Sequence, residues 1–229
     1  WQSVANIQPH MLNFLENHDE QRLASDFFAG DAQKGKAGMI VASCMNTNPV
    51  MIYAGQELGE RGMDAEGFSG RDGRTTIFDY WHVDTLGRWY HQGKIGHALL
   101  TTEEQELQQF YSKLLNACLH EKALSKGLFF DLMYANMEGG GLDPHRQYVF
   151  LRAYEDEAVL VIANFSDQAR AVAINLPQHA FDYLQLEPNS QCEAVDLLTN
   201  ETETICVSPD QPVETYVAPW GGKLLKFKH

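Results

Sequence analysis

The feature that most constrains this chain is a change of hydrophobic period at Gly127. Before it, apolar residues recur at helical spacing. After it come eight short β-rich runs: 128–134, 146–154, 157–164, 169–176, 192–198, 203–207, 213–217 and 222–228. Turn residues separate most of these runs, and Glu155-Asp156-Glu157 reads as a hairpin turn. Short strands at this spacing, with no helix between them, predict an antiparallel sandwich. The first part reads differently. Residues 11–15 form a short apolar run that ends in Glu16-Asn17-His18-Asp19, and residues 33–46 carry Ala37, Ile40, Val41, Cys44 and Met45 at helical spacing. Asn48-Pro49 breaks that helix, and Val50-Met51-Ile52-Tyr53 follows, tipped by Gln56 and Glu57. Strand, helix, strand is a βαβ unit, with polar groups collected at the strand ends. Residues 59–100 are a long irregular stretch rich in Gly, Asp, Arg and Trp, and the helix beyond it has Thr102 as N-cap, Gln105 at the capping-box position and Gly127 as its stop. The expected class is α/β plus all-β, with an α/β part over 1–126 and a sandwich over 127–229.

Composition narrows the function. The chain has 229 residues and a net charge of −14, with 17 Lys plus Arg against 31 Asp plus Glu. No basic patch is available to follow a phosphate backbone or an anionic membrane, so nucleic-acid and membrane partners are not expected. The four cysteines form no CxxC pair. Cys44 and Cys118 read as small core residues, whereas Cys192 and Cys206 lie in neighbouring strands and could pair. The chain opens at Trp1 without an initiator Met or signal peptide, which reads as a piece of a longer protein. Location is not readable from it.

The segment Asn13-Phe14-Leu15-Glu16-Asn17-His18-Asp19, with Arg22 beyond it, carries the chemistry. A strand that delivers His and Asp together can hold a carboxylate and an imidazole against one small polar ligand. The spacing is not that of a metal site. Phe14, Asn17, His18 and Asp19 resemble, in register, the seventh-strand signature F-x-x-N-H-D of the α-amylase family, glycoside hydrolase family 13. Asn48-Pro49 through Tyr53-Ala54-Gly55-Gln56-Glu57-Leu58-Gly59 resembles the family's eighth strand and its loop, with Ala54 where an aromatic is usual. Asp72-Gly73-Arg74, with Trp81 downstream, resembles the loop that follows.

This resemblance implies the last strands and helices of a partial (β/α)8 barrel, followed by the family's C-terminal β-sandwich. It implies a retaining enzyme acting on α-1,4 or α-1,6 bonds of α-glucans or maltooligosaccharides. Asp19 takes the place of the third catalytic carboxylate, which grips sugar hydroxyls at the cleavage point. His18 takes the place of its sugar-binding neighbour, and Asn17, Arg22 and Arg74 are further substrate-binding candidates. Arg22 could instead pair with Glu16 or Glu20, and Arg74 with Asp72 or Asp79. Trp81, Trp89 and Tyr90 either stack on sugar rings or pack the long loop. Gln56 and Glu57 brace the eighth-strand loop.

The family's nucleophile Asp and acid/base Glu have no counterpart in the 18 residues before Asp19, so this piece alone is expected to be inactive. No cofactor is expected in it; Ca²⁺ in such enzymes sits largely in an inserted domain that this chain lacks. Two barrel strands without neighbours leave open edges, which would self-associate or leave residues 1–60 loosely ordered. Two alternatives remain open: a non-catalytic ancillary protein of the same fold, and a carbohydrate-binding module made by the sandwich, on which no exposed aromatic row is evident.

Overall fold

A computed structural model describes residue 4, residues 6–78 and residues 82–229. In chain order the helices and strands are α1 (Lys36–Cys44), α2 (Asp84–Trp89), β1 (Tyr90–His91), β2 (Lys94–Ile95), α3 (Thr102–His120) and α4 (Lys122–Ser125). There follow β3 (Leu128–Asp131), β4 (Gln147–Tyr154), β5 (Glu157–Asn164), β6 (Arg170–Ile174), α5 (Gln178–Leu184), β7 (Asn189–Asp196), β8 (Thr202–Val207), β9 (Val213–Val217) and β10 (Gly222–Lys228).

The centre is a six-stranded antiparallel sheet in the order β3-β4-β5-β10-β7-β8. Alternation along its strands explains how it buries both faces. Val149 and Leu151, Ala158, Leu160 and Ile162, and Leu225 and Phe227 join one apolar cluster with Val172 and Ile174 of β6, Val213 and Val217 of β9, and Phe181 of α5. The intervening Phe150, Val159, Val161, Ala163 and Leu224 join a second cluster with Met39 and Ile40 of α1 and Leu107, Tyr111 and Leu114 of α3. The sheet is therefore the middle of three layers, α1 and α3 on one side and the β6–β9 ribbon with α5 on the other. This is why β4 and β5 read as nearly continuous apolar runs.

The β-rich half matches expectation strand for strand, apart from shifts of up to three residues at the ends. Helix α5 was not expected there. Residues 178–184 follow Pro177, and Ala180, Phe181 and Leu184 place an apolar face on the sandwich core at helical spacing. Cys192 and Cys206 do not pair. Cys192 stands opposite Ile205 on the buried face, which turns Cys206 to the other side of β8, and both are free.

The first part is less regular than a barrel wedge. Residues 11–15 and 50–53 make no extended strands; a single parallel bridge joins Asn13 to Val50. Its hydrogen bonds run from Asn13 N–H to Pro49 O (3.0 Å) and from Met51 N–H to Asn13 O (2.9 Å). Parallel pairing is found almost only where both faces of the sheet are covered. The apolar side chains flanking this bridge, Met11, Leu12 and Phe14, remain 40–46% exposed. The expected barrel strands are thus reduced to one contact of the right direction.

The long helix starts one residue earlier than expected. Thr101 is its N-cap and Glu104 completes the capping box, because Glu104 receives the Thr101 N–H while its own N–H meets Thr101 Oγ1. It ends at His120, since Glu121 turns extended and α4 follows before Gly127. The irregular stretch 59–100 contains α2 and the β1–β2 hairpin, which its mixed composition concealed.

Candidate functional site

The bridge strand ends at the chemistry-bearing loop. The Asn17 side-chain oxygen accepts the N–H groups of Asp19 (2.8 Å) and Glu20 (3.0 Å), a local turn that Asn forms readily. Asn17 therefore shapes the loop instead of facing outward with both amide atoms. The turn lifts His18 and Asp19 to the surface. Their side chains are 37% and 64% exposed, with His18 Nε2 3.6 Å from Asp19 Oδ2.

Beneath them lies a buried ion pair. Arg22 is 1% exposed, and its guanidinium donates to Glu16 Oε2 (2.9 Å), Ala54 O (2.8 Å) and Thr75 Oγ1 (3.2 Å). The guanidinium also lies 4.2 Å from the centre of the Tyr53 ring. Glu16, 2% exposed, accepts Leu23 N–H with its other oxygen (2.8 Å). Of the two partners open to Arg22 in the sequence, the structure takes Glu16. Burial pushes the Glu16 carboxyl up, and the adjacent Arg22 charge pulls against that. With its donors turned inward, Arg22 ties the Asp19 loop to Ala54 and Thr75.

The same residues fix the loop after Tyr53. Arg22 N–H meets Gly73 O at 2.7 Å, and the Tyr53 hydroxyl donates to Thr75 O. Gly73 has φ +83°, and a Cβ there would lie 2.2 Å from Ser25 Oγ, so the close approach requires glycine. Gly55 (φ +91°) and Gly59 (φ +74°) bracket the 3₁₀ turn Gln56–Leu58. Within that turn Gln56 Nε2 donates to the Tyr111 hydroxyl (3.0 Å), bracing the turn on α3.

Arg74 pairs with Asp72, Nη2 to Oδ2 at 2.5 Å and Nε to Oδ2 at 3.1 Å, and its guanidinium sits 4.7 Å from the Phe68 ring centre. Arg74 beside Asp72 holds that carboxyl below its usual range. Phe68, beneath the Arg74 guanidinium, and Phe78, edge-on to His18, lie 5.6 Å apart, which brings Arg74 and His18 into one neighbourhood. The aromatic surface beside them is Phe78, 73% exposed and edge-on to His18 (6.2 Å), with Phe68 5.6 Å from Phe78. Neither phenylalanine stood out in the sequence, where tryptophan drew attention. Trp81 and Asp79 lie outside the described residues. Trp89 is half-buried and Tyr90 is 58% exposed in the hairpin. The sandwich does carry an aromatic group: Tyr134, His179 and Tyr183 surround Phe130. No group of three His, Cys, Asp or Glu side chains among the described residues could hold a metal ion. Nor is any described helix long and apolar enough to cross a membrane.

No family model and no curated protein matches the sequence. Solved structures do. AmyP in complex with maltose superposes on 98% of this chain and 43% of its own, with TM-score 0.62 at 16% identity. The fold is one shared with α-amylases. The maltogenic α-amylase AmyB from Thermotoga neapolitana covers 100% of this chain and 45% of its own (TM-score 0.58, 14% identity). The Geobacillus thermoleovorans α-amylase, complexed with acarbose, covers 96% and 39% (TM-score 0.58, 17% identity). This chain thus spans less than half the length of these amylase structures, and its surfaces account for only part of such a fold.

Proposed function

We propose that this chain is the C-terminal part of a retaining glycoside hydrolase acting on α-1,4 or α-1,6 glucosidic bonds of α-glucans. The observation that carries the reading is the exposed His18–Asp19 pair at the end of the bridge strand, held outward by the Asn17 turn and the buried Glu16–Arg22 pair. The pair stands in register with the F-x-x-N-H-D signature, in a chain that folds like maltose- and acarbose-bound amylases.

In this reading Asp19 accepts hydrogen bonds from two sugar hydroxyls at the cleavage point. An anionic acceptor forms stronger bonds than a neutral one and favours the positively charged, flattened sugar of the transition state. His18 donates to a neighbouring hydroxyl. Phe78 offers an aromatic face to the C–H surface of a ring, and Arg74, fixed by Asp72, sets the local positive field. Arg22 and Asn17 act by positioning. Met11, Leu12 and Phe14 would be covered by adjoining barrel strands, and the nucleophile and acid/base carboxylates would come from that same missing portion.

Reducing-sugar release tests the reading. The 229-residue chain is expected to release nothing from soluble starch, because double displacement needs two carboxylates that it does not supply. The longer protein is expected to hydrolyse starch with retention of the α-anomer, followed by NMR of the fresh product. A longer protein that binds starch without cleaving it would instead establish a non-catalytic ancillary protein.

A further inference from the structure

The thiols of Cys44 and Cys118 lie 3.6 Å apart, although 74 positions separate them in sequence. Cys44 is the last residue of α1 and fully buried; Cys118 lies two residues from the end of α3 and is half-buried. As apolar residues at helical spacing they read as ordinary core, and side-chain spacing cannot show that two helix ends bring them into contact.

A buried cation stands beside them. Arg152 of β4 is 1% exposed and donates to Cys44 O (2.7 Å) and Gly127 O (2.7 Å), while its Nε–H meets no partner. Among the described residues no carboxylate pairs with it, and the ionisable groups acting on its charge are the two thiols. A buried guanidinium without a counter-charge is costly, and it favours an anion at the sulfur atoms.

We propose that Cys44 and Cys118 are a dithiol that closes to a reversible disulfide, a redox-sensitive tie between α1 and α3. The oxidant is a small-molecule disulfide. Half-exposed Cys118 reacts first: its thiolate attacks one sulfur of the small disulfide, displaces one small thiol and forms a mixed disulfide. The Cys44 thiolate then attacks the Cys118 sulfur and displaces the second. Two protein thiols and one small disulfide become one protein disulfide and two small thiols, so the two protons and two electrons balance. Burial and the neighbouring Cys118 push the Cys44 thiol well up, and the Arg152 charge is a smaller opposing pull. Bonding requires the sulfurs to approach from 3.6 Å to about 2.05 Å.

The test equilibrates the folded chain with oxidised glutathione, alkylates remaining thiols under denaturing conditions, and maps peptides without reduction. The expected result is a Cys44–Cys118 cross-linked peptide from a chain two hydrogens lighter. Its unfolding midpoint should lie at least about 5 °C above that of the dithiothreitol-treated chain, because the bridge closes a long loop. Cys118→Ala should abolish both the cross-link and the midpoint shift. The proposal is overturned if both thiols are recovered alkylated after equilibration, or if Cys118 stops at the mixed disulfide with glutathione. Should Cys118→Ala not fold, the peptide map of the unaltered chain decides alone.

Discussion

Asp19→Asn in the longer protein is expected to lower kcat/KM on maltooligosaccharides about 10³-fold, with the loss mainly in kcat. The substitution keeps the size and most hydrogen bonds of the side chain. It removes the negative charge that strengthens those bonds as the sugar becomes cationic, and loss of one preorganised electrostatic contact of this kind costs about 10²–10³ in rate. The Asp19 side chain is 64% exposed and touches only the exposed His18 ring, while its backbone N–H holds the turn, so the variant should fold like the unaltered protein. A variant with normal kcat would return Asp19 to the status of a loop residue. His18→Ala should be milder, because a neutral donor to a hydroxyl contributes less than an anion facing developing positive charge.

The second large effect is structural. Arg22→Met is expected to destabilise the chain by about 3–5 kcal/mol at neutral pH, measured by urea unfolding. It strands the Glu16 charge, 2% exposed, without its partner. The pair Glu16→Leu with Arg22→Met should be much closer to the unaltered stability, since an apolar pair of similar volume no longer has to be desolvated as ions. The sign of the pH dependence follows. Glu16 already titrates above its ordinary range because of burial, and removing Arg22 raises it further. A carboxyl whose folded pKa lies above its unfolded value contributes its stability below the unfolded pKa and loses it as pH rises through the folded one. The deficit of Arg22→Met should therefore be largest above the raised folded pKa, shrink as pH falls through it, and be smallest below about pH 4.5, the ordinary carboxyl value. A deficit that grew on acidification would contradict the assignment of a stranded Glu16 charge.

The β-rich half was legible because its strands carry their own punctuation. Glu155-Asp156 makes the turn between β4 and β5, with Glu155 at φ 53°, and the strand ends fall close to where turn residues begin. Helix α5 was missed because seven residues between strands leave too short a window for a period to stand out. The first half was legible as motifs more than as elements. Asn13 and Val50 do meet in parallel, but pairing propagates no further: parallel sheets need both faces covered, and Met11, Leu12 and Phe14 stay exposed beside this bridge. The loop cluster of His18 and Asp19 could be named from residue type and order alone. Its support could not: Arg22 reaches Glu16 locally but also Ala54 and Thr75, and contacts over 32 and 53 positions leave no periodic trace. The same is true of Phe68 and Phe78, whose proximity to Arg74 and His18 depends on the path of an irregular loop. The cysteines show both cases. Strand register separates Cys192 from Cys206, which the sequence allowed to pair, and helix packing joins Cys44 to Cys118, which it did not suggest.

If Asp19 grips a glucan ring where the bond breaks, a crystal structure of the longer protein with acarbose will show it. The expected result is an Asp19 carboxylate oxygen within about 3 Å of a ring hydroxyl, with His18 donating to its neighbour. An acarbose seated elsewhere, with Asp19 facing only solvent or the Asn17 turn, would contradict it.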